Sequence, residues 1–269
     1  PGSPLVRWGE QYGFRKVFLS PPDIGGRYSA FSFFGLVPAA LLGIDLSLLL
    51  EKATVASQKC SPSTLLKDNE GAILGTALGI LAQKGRDKLT FFFSSPRWES
   101  FGDWLEQLIA ESTGKEGKGI LPVIDKQPGK AAVYEEDRLF VYIERGKNGS
   151  IDNLLEELVN AGHPVIKIPI TDDYDLGEQM FIWEFATALA GYWLKINPFD
   201  QPDVESTKKF TQEMMRRYKE GSFEEEKPIL VEKGFSVFCN FSASSLKEVL
   251  EQFLGFVEPG GYISIHAYL

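Results

Sequence analysis

The chain has 269 residues, 43% of them apolar, which is enough for one large domain, or one and a half smaller ones, around a real core. Its net charge is −9 with Lys and Arg dispersed, and its longest apolar run, residues 33–42, is interrupted by Gly35 and Pro38; nucleic acid, anionic membranes and a helical membrane span are all disfavoured. Two cysteines (Cys60, Cys239) and two histidines (His163, His266) make neither a disulfide framework nor a metal cluster, so no metal is expected and a reducing cytoplasm is the natural compartment.

In chain order, residues 5–12 read as a helix leading into a strand around 16–19. Residues 28–42 and 46–57 read as two apolar helices separated by Gly43, with Asp45 as the N-cap of the second. Residues 70–83 form another helix, rich in Ala, Gly and Leu, whose small side chains permit close packing. Gly85-Arg86-Asp87 marks a boundary, after which strands and helices alternate. Strands are expected at 89–93, 119–123, 139–143, 165–168, 235–238 and from Tyr262 onward. Helices are expected at 101–110, 151–161, 177–196, 204–219 and 244–253. That alternation indicates an α/β fold, a three-layer domain whose parallel sheet is flanked by helices.

Three polar segments stand out as candidates for chemistry. Glu111-Ser112-Thr113-Gly114-Lys115 ends the amphipathic helix carrying Trp104, Leu105, Leu108 and Ile109, and stops on a glycine. A carboxylate in that last turn is held rigidly, as a proton-transfer base requires; the plainer reading is a solvated Glu at a helix end. Arg27 follows Gly25 and Gly26, which allow close backbone approach, and it cannot lose its charge; the alternative is a surface arginine after a turn. The third segment runs Asn197-Pro198-Phe199-Asp200-Gln201-Pro202-Asp203-Val204-Glu205, with Lys208 and Lys209 beyond it. His163 and His266 read as structural, Glu224-Glu225-Glu226 as a solvated loop, and Asp172-Asp173 with Asp175 lacks the ligand pattern of a metal loop.

Taken together, the G-G-R-Y-S, E-S-x-G-K and N-P-F-D-Q-P-x-V-E segments resemble those of phosphoglucose isomerase (glucose-6-phosphate isomerase), a family of the sugar isomerase (SIS) superfamily. The spelling of residues 104–123 is closest to the branch fused behind a transaldolase. The resemblance runs from about Asp23 to the end. It implies a C-terminal piece of a larger enzyme: residues 1–84 as the remnant of a first SIS domain with connecting helices, and 85–269 as the second. It also implies isomerisation of glucose 6-phosphate and fructose 6-phosphate through an enediolate, without a cofactor. In that reading Glu111 is the base, Arg27 stabilises the enediolate, Lys208 assists ring opening, and Gln107 and Gly26 contact substrate. A homodimer, a sugar phosphate as substrate and an upstream transaldolase domain are implied in the same way. Two departures stand out. The phosphate-cradling Ser/Thr-rich loop has no counterpart here, so activity of the piece by itself does not follow. The ring-opening histidine of the family has no match, since residues 130–135 replace its segment. A non-catalytic, sugar-phosphate-binding SIS module with a regulatory role is the alternative.

Overall fold

The computed structural model describes residues 3–125, 127–146, 148–222, 226–258, 261 and 263, with the backbone alone at 203 and 205. Packing divides the chain into two compact units, Pro1–Val204 and Glu205–Leu269.

The first unit is built on a four-stranded parallel sheet of order β2-β1-β3-β4, from β1 (Lys88–Phe93), β2 (Leu121–Ile124), β3 (Arg138–Glu144) and β4 (Val165–Pro169). The central strands are apolar on both faces because both are covered, as parallel sheets require. Leu89, Phe91, Leu139, Val141 and Ile143 point to one side, where they meet α5 (Glu99–Thr113) and α7 (Asp175–Leu194). Phe92, Phe140 and Tyr142 point to the other, against Leu154, Leu155 and Leu158 of α6 (Gly149–Asn160). The three-layer α/β arrangement read from the sequence is therefore present. The sequence-based strands at 89–93, 119–123, 139–143 and 165–168 correspond to β1, β2, β3 and β4, with ends shifted by one or two residues.

Two further helices, α3 (Leu46–Lys59) and α4 (Glu70–Gln83), lie on the outside of α7. Asp45 Oδ1 accepts the Ser47 and Leu48 amides and starts α3, as the cap reading expects; Asn69 does the same for α4 through Ala72. Gly71, Gly75 and Gly79 repeat every fourth residue and form the flat face of α4. A Cβ at Gly75 would stand 2.6 Å from the Ala186 carbonyl oxygen.

Some expectations need correction. Residues 28–42 are not one helix. Gly26–Tyr28 make a 3₁₀ turn and only α2 (Phe33–Leu41) is α-helical, because Ser29 Oγ donates to Gly26 O and Ser32 Oγ caps at Phe34 N. After α1 (Pro4–Gln11), residues 16–19 form no strand; they have no neighbouring strand to receive their backbone hydrogen bonds.

α8 (Pro202–Lys219) carries the chain across the unit boundary. In the second unit, β5 (Leu230–Glu232) and β6 (Phe235–Val237) pair antiparallel, so residues 235–238 do not continue a parallel sheet. Lys233 and Gly234, at φ 51° and 84°, make the tight turn that a two-residue hairpin demands. α9 (Leu246–Leu254) follows, capped by Ser245, and Glu232 Oε2 accepts the Leu246 amide. The strand expected from Tyr262, His266, and Glu224-Glu225 lie outside the described residues.

Candidate active site

α5 leaves the carboxyl edge of the sheet after β1 and returns to its amino edge, where Thr113 Oγ1 accepts the Ile120 amide at 2.9 Å just ahead of β2. Its last turn, with Glu111, is thus at the edge opposite to the one where open α/β sheets usually bind ligands. The sheet topology by itself does not find this site.

Arg27 does. It is 3% exposed, and its guanidinium joins the three segments that stood out in the sequence. Nε lies 3.3 Å from Glu111 Oε2. Nη1 donates to Ser112 Oγ at 2.6 Å and to the Pro198 carbonyl at 3.0 Å; Nη2 donates to the Asp200 carbonyl at 3.2 Å. With its amide oxygen turned inward, Gln201 accepts from both Nε and Nη2 at 3.0 Å. A buried guanidinium needs this degree of satisfaction, and its planar fork suits an array of carbonyl and carboxylate oxygens. The donors of Arg27 are thus engaged by this chain's own atoms.

Lys115 makes a second tie between the same segments. It is 5% exposed, and its ammonium donates to Asn197 O, Asp200 O and Asp200 Oδ1, each at 2.7 Å. Tyr28, next to Arg27, donates to Ser112 Oγ at 3.3 Å and lays its ring against Phe199. Burial raises the proton affinity of its phenol, with the Ser112 bond and Arg27 opposing and Glu184 adding to the rise. Ser112, Lys115, Tyr28 and Gln201 carried no role in the sequence reading, although each stood inside one of the three segments. Glu184 was missed altogether. Its signal was being the lone charged residue of α7 beyond Glu178.

Two openings flank Arg27. A cavity of about 580 Å³ runs along α5 and is lined by Gly26, Arg27, Trp104, Gln107 and Met180, reaching Arg97 at the carboxyl edge. Glu111, one turn beyond Gln107 on the same helix face, lines a neighbouring cleft of about 300 Å³ with Gly114, Lys115, Gln201 and Pro202. The Glu111 side chain keeps 36% of its exposure while Arg27 holds it from behind. The result is a carboxylate fixed in direction yet open to a ligand. A Cβ on Gly25 or Gly26 would meet nothing within 4 Å beyond its chain neighbours, and Gly26 lines the larger cavity.

Of the five expected site residues, Glu111 is paired with Arg27, and Gln107 and Gly26 line the same cavity as Arg27. Lys208 is exposed on α8 in the second unit, as is Lys209. His163 is buried edge-on against Phe140 on the α6 side of the sheet, where burial lowers its proton affinity. Within residues 130–135, the Tyr134 hydroxyl donates to Asp125 Oδ2 at 2.7 Å. Burial, and then that bond, push its pKa up to about 12. Tyr134 packs against Phe92 and Phe140, on the sheet face opposite α5.

No protein-family model matches the chain. Among curated proteins, it is 31% identical over 253 residues to the glucose-6-phosphate isomerase of Staphylococcus saprophyticus, covering 80% of this chain and 56% of that protein. It is 29% identical over 235 residues to that of Enterococcus faecalis, covering 72% and 52%. Among solved structures, a hypothetical protein from Thermus thermophilus superposes with a TM-score of 0.67 at 24% identity, over 80% of this chain and 61% of that one. A glucose-6-phosphate isomerase from Chlamydia trachomatis gives 0.62 at 18% identity, over 81% and 52%. The chain spans somewhat over half the length of the curated relatives it matches.

Proposed function

Because the chain belongs to the phosphoglucose isomerase family, we propose that it carries the proton-transfer half of an aldose–ketose isomerase site acting on glucose 6-phosphate and fructose 6-phosphate. Glu111 is the base: it takes the proton from C2 of the open-chain sugar and returns it at C1 of the enediolate. Arg27 supplies the fixed positive charge that stabilises the enediolate oxygen, in surroundings of low polarity where such a charge counts for most. Gln107 and Gly26 contact the sugar, Lys208 assists ring opening, and no cofactor enters the reaction. Residues 1–84 and 85–269 are assigned to a first and a second SIS domain.

The observation that carries this reading is the half-open Glu111 carboxylate held 3.3 Å from a buried arginine at the meeting point of three motif segments. A solvated helix-end glutamate has no need of such a partner. The alternative, a non-catalytic sugar-phosphate-binding module, draws its support from the ring-opening position, where Tyr134 is committed to Asp125 and the core. The exposed apolar side chains Trp8, Phe14, Phe18, Phe34, Leu41 and Leu42 support assembly as a homodimer.

The deciding measurement is a coupled assay of fructose 6-phosphate conversion, on the complete gene product and on its Glu111→Gln variant. A drop of at least about a thousandfold in kcat, with the substrate still bound, is expected for loss of the base. Binding without turnover in the unaltered protein would favour the regulatory module.

A further inference from the structure

Just beyond α5 the chain turns on Lys115-Glu116-Gly117-Lys118. The Lys115 amide donates to the Lys118 carbonyl at 3.1 Å, and the Lys118 amide donates back to the Lys115 carbonyl at 3.0 Å. Glu116 and Gly117, at φ 56° and 70°, supply the left-handed backbone that so tight a turn demands. A turn closed at both ends fixes the roots of two lysines, and their ammonium groups serve different parts of the chain. Lys118 donates to the Leu194 carbonyl at 3.0 Å, at the end of α7, where a helix leaves carbonyls without helical partners. Lys115 passes into the interior and ends among Asn197 O, Asp200 O and Asp200 Oδ1.

The carbonyls of residues 197–200 form an arch divided between two buried cations. Lys115 takes its ends, Asn197 O and Asp200 O, each at 2.7 Å. Arg27 takes Pro198 O at 3.0 Å and shares Asp200 O at 3.2 Å. From this geometry we infer that Lys115 is a positioning residue of the proton-transfer site. By gripping both ends of the arch it fixes the carbonyls that set the plane of the Arg27 guanidinium, and through Arg27 the direction of Glu111, 3.3 Å away. The consequence for turnover rests on the isomerase reading; the coupling of Lys115 to Arg27 does not.

Lys115 also lines the cleft beside Glu111, where a cation could instead hold the substrate. Its hydrogen bonds decide against that. An ammonium carries three protons, and three acceptors at 2.7 Å engage them all. Its side chain is 3% exposed, so a ligand would have to strip away an acceptor to reach it. The convergence also explains the residue type: a compact ammonium can serve three oxygens around one point, which a flat guanidinium cannot. The middle of the arch is seated separately. Pro198 packs on α7, its ring 2.9 Å from where a Cβ on Gly191 would stand, and Asn197 Oδ1 accepts the Phe199 amide at 3.1 Å. Lys115 therefore controls the ends of the arch, and Asp200, whose carbonyl both cations share, is where its loss reaches Arg27.

The test measures hydrogen exchange of the Arg27 Nε–H by NMR in the full chain, assigned by its loss in Arg27→Lys. The amides of Phe91 and Val141, at the centre of the sheet, report general loosening. In Lys115→Met the Nε–H is expected to exchange at least about tenfold faster while those amides keep their rates. Lys118→Met, which cuts the tie to α7 from the same turn, should leave the Nε–H unchanged. An unchanged rate in Lys115→Met, an equal rise at Phe91 and Val141, or an equal rise in Lys118→Met overturns the proposal. If Lys115→Met does not fold, Asp200→Ala removes the carboxylate arm alone; a smaller rise is expected there, and none overturns it. In the coupled assay on the complete gene product, Lys115→Met should lower kcat about 10- to 100-fold with KM within about twofold. In an Arg27→Lys background the same change should cost less than about threefold, because the two residues act in series. A full additive loss overturns the route through Arg27. Absence of isomerase activity in the unaltered protein would instead sink the isomerase reading, and the exchange measurement still judges the coupling.

Discussion

At the scale of residues, Arg27 shows how a short segment acquires meaning from its contacts. Its identity, the glycines before it and its charge are visible in the sequence; the acceptors around it are not, since they come from residues 111–112 and 198–201. Removing such a centre strands several buried acceptors and one carboxylate. Arg27→Met is therefore expected to lower stability by about 3–5 kcal/mol in denaturant titrations. Glu184 predicts the opposite sign. Its folded pKa is raised from 4.5 to about 7, so its contribution to stability is complete below about 4.5 and is lost as pH rises through about 7. Glu184→Gln removes that loss and should be the more stable protein at pH 8, by up to about 3 kcal/mol, with the advantage gone near pH 4. Unfolding free energies at the two pH values check both sign and size. Asp175 behaves conversely. Burial works against its charge, but Lys52 and Thr171 hold its carboxyl well below the usual range, so the stability it supplies is present above about 3.8 and fades as pH falls.

At the scale of elements, the helices whose starts are set by local chemistry are the ones that periodicity located well. α4 runs over 70–83 as expected, with Asn69 as its cap, and α3 starts at Asp45 as expected. Where the decisive hydrogen bonds came from side chains competing with the helix, as at Ser29 and Ser32, an apolar pattern gave one helix too many turns. Small residues on α4 were legible as a close-packing face, but their partner, α7, was not. Gly75→Ala tests that packing. Against a gain of about 1 kcal/mol in helix propensity, its Cβ would press on the backbone of Ala186, at a cost of about 1–3 kcal/mol from overpacking. A net loss of stability is expected; a net gain would mean that α4 and α7 can separate freely.

At the scale of the whole molecule, the exposed apolar side chains at Trp8, Phe14, Phe18, Phe34, Leu41 and Leu42 lead to the prediction of a dimer in sedimentation velocity at micromolar concentration. A monomer across that range would remove the homodimer from the proposal. Among the described residues, no helix is long and apolar enough to cross a membrane, in agreement with the hydropathy of the chain. The sequence by itself determined the α/β class, the four strands of the parallel sheet, the main helices and the three segments worth watching. Those properties depend on near neighbours: apolar periodicity, caps and the spacing of a few polar residues. Only the tertiary structure decided that the segments meet on Arg27, that Lys115 clamps the Asn197–Asp200 loop, and that Tyr134 belongs to the core on the far side of the sheet. Each of these is a contact between side chains many residues apart, fixed by how helices pack on a sheet, and no local pattern in the chain records which distant partner a buried charge will find.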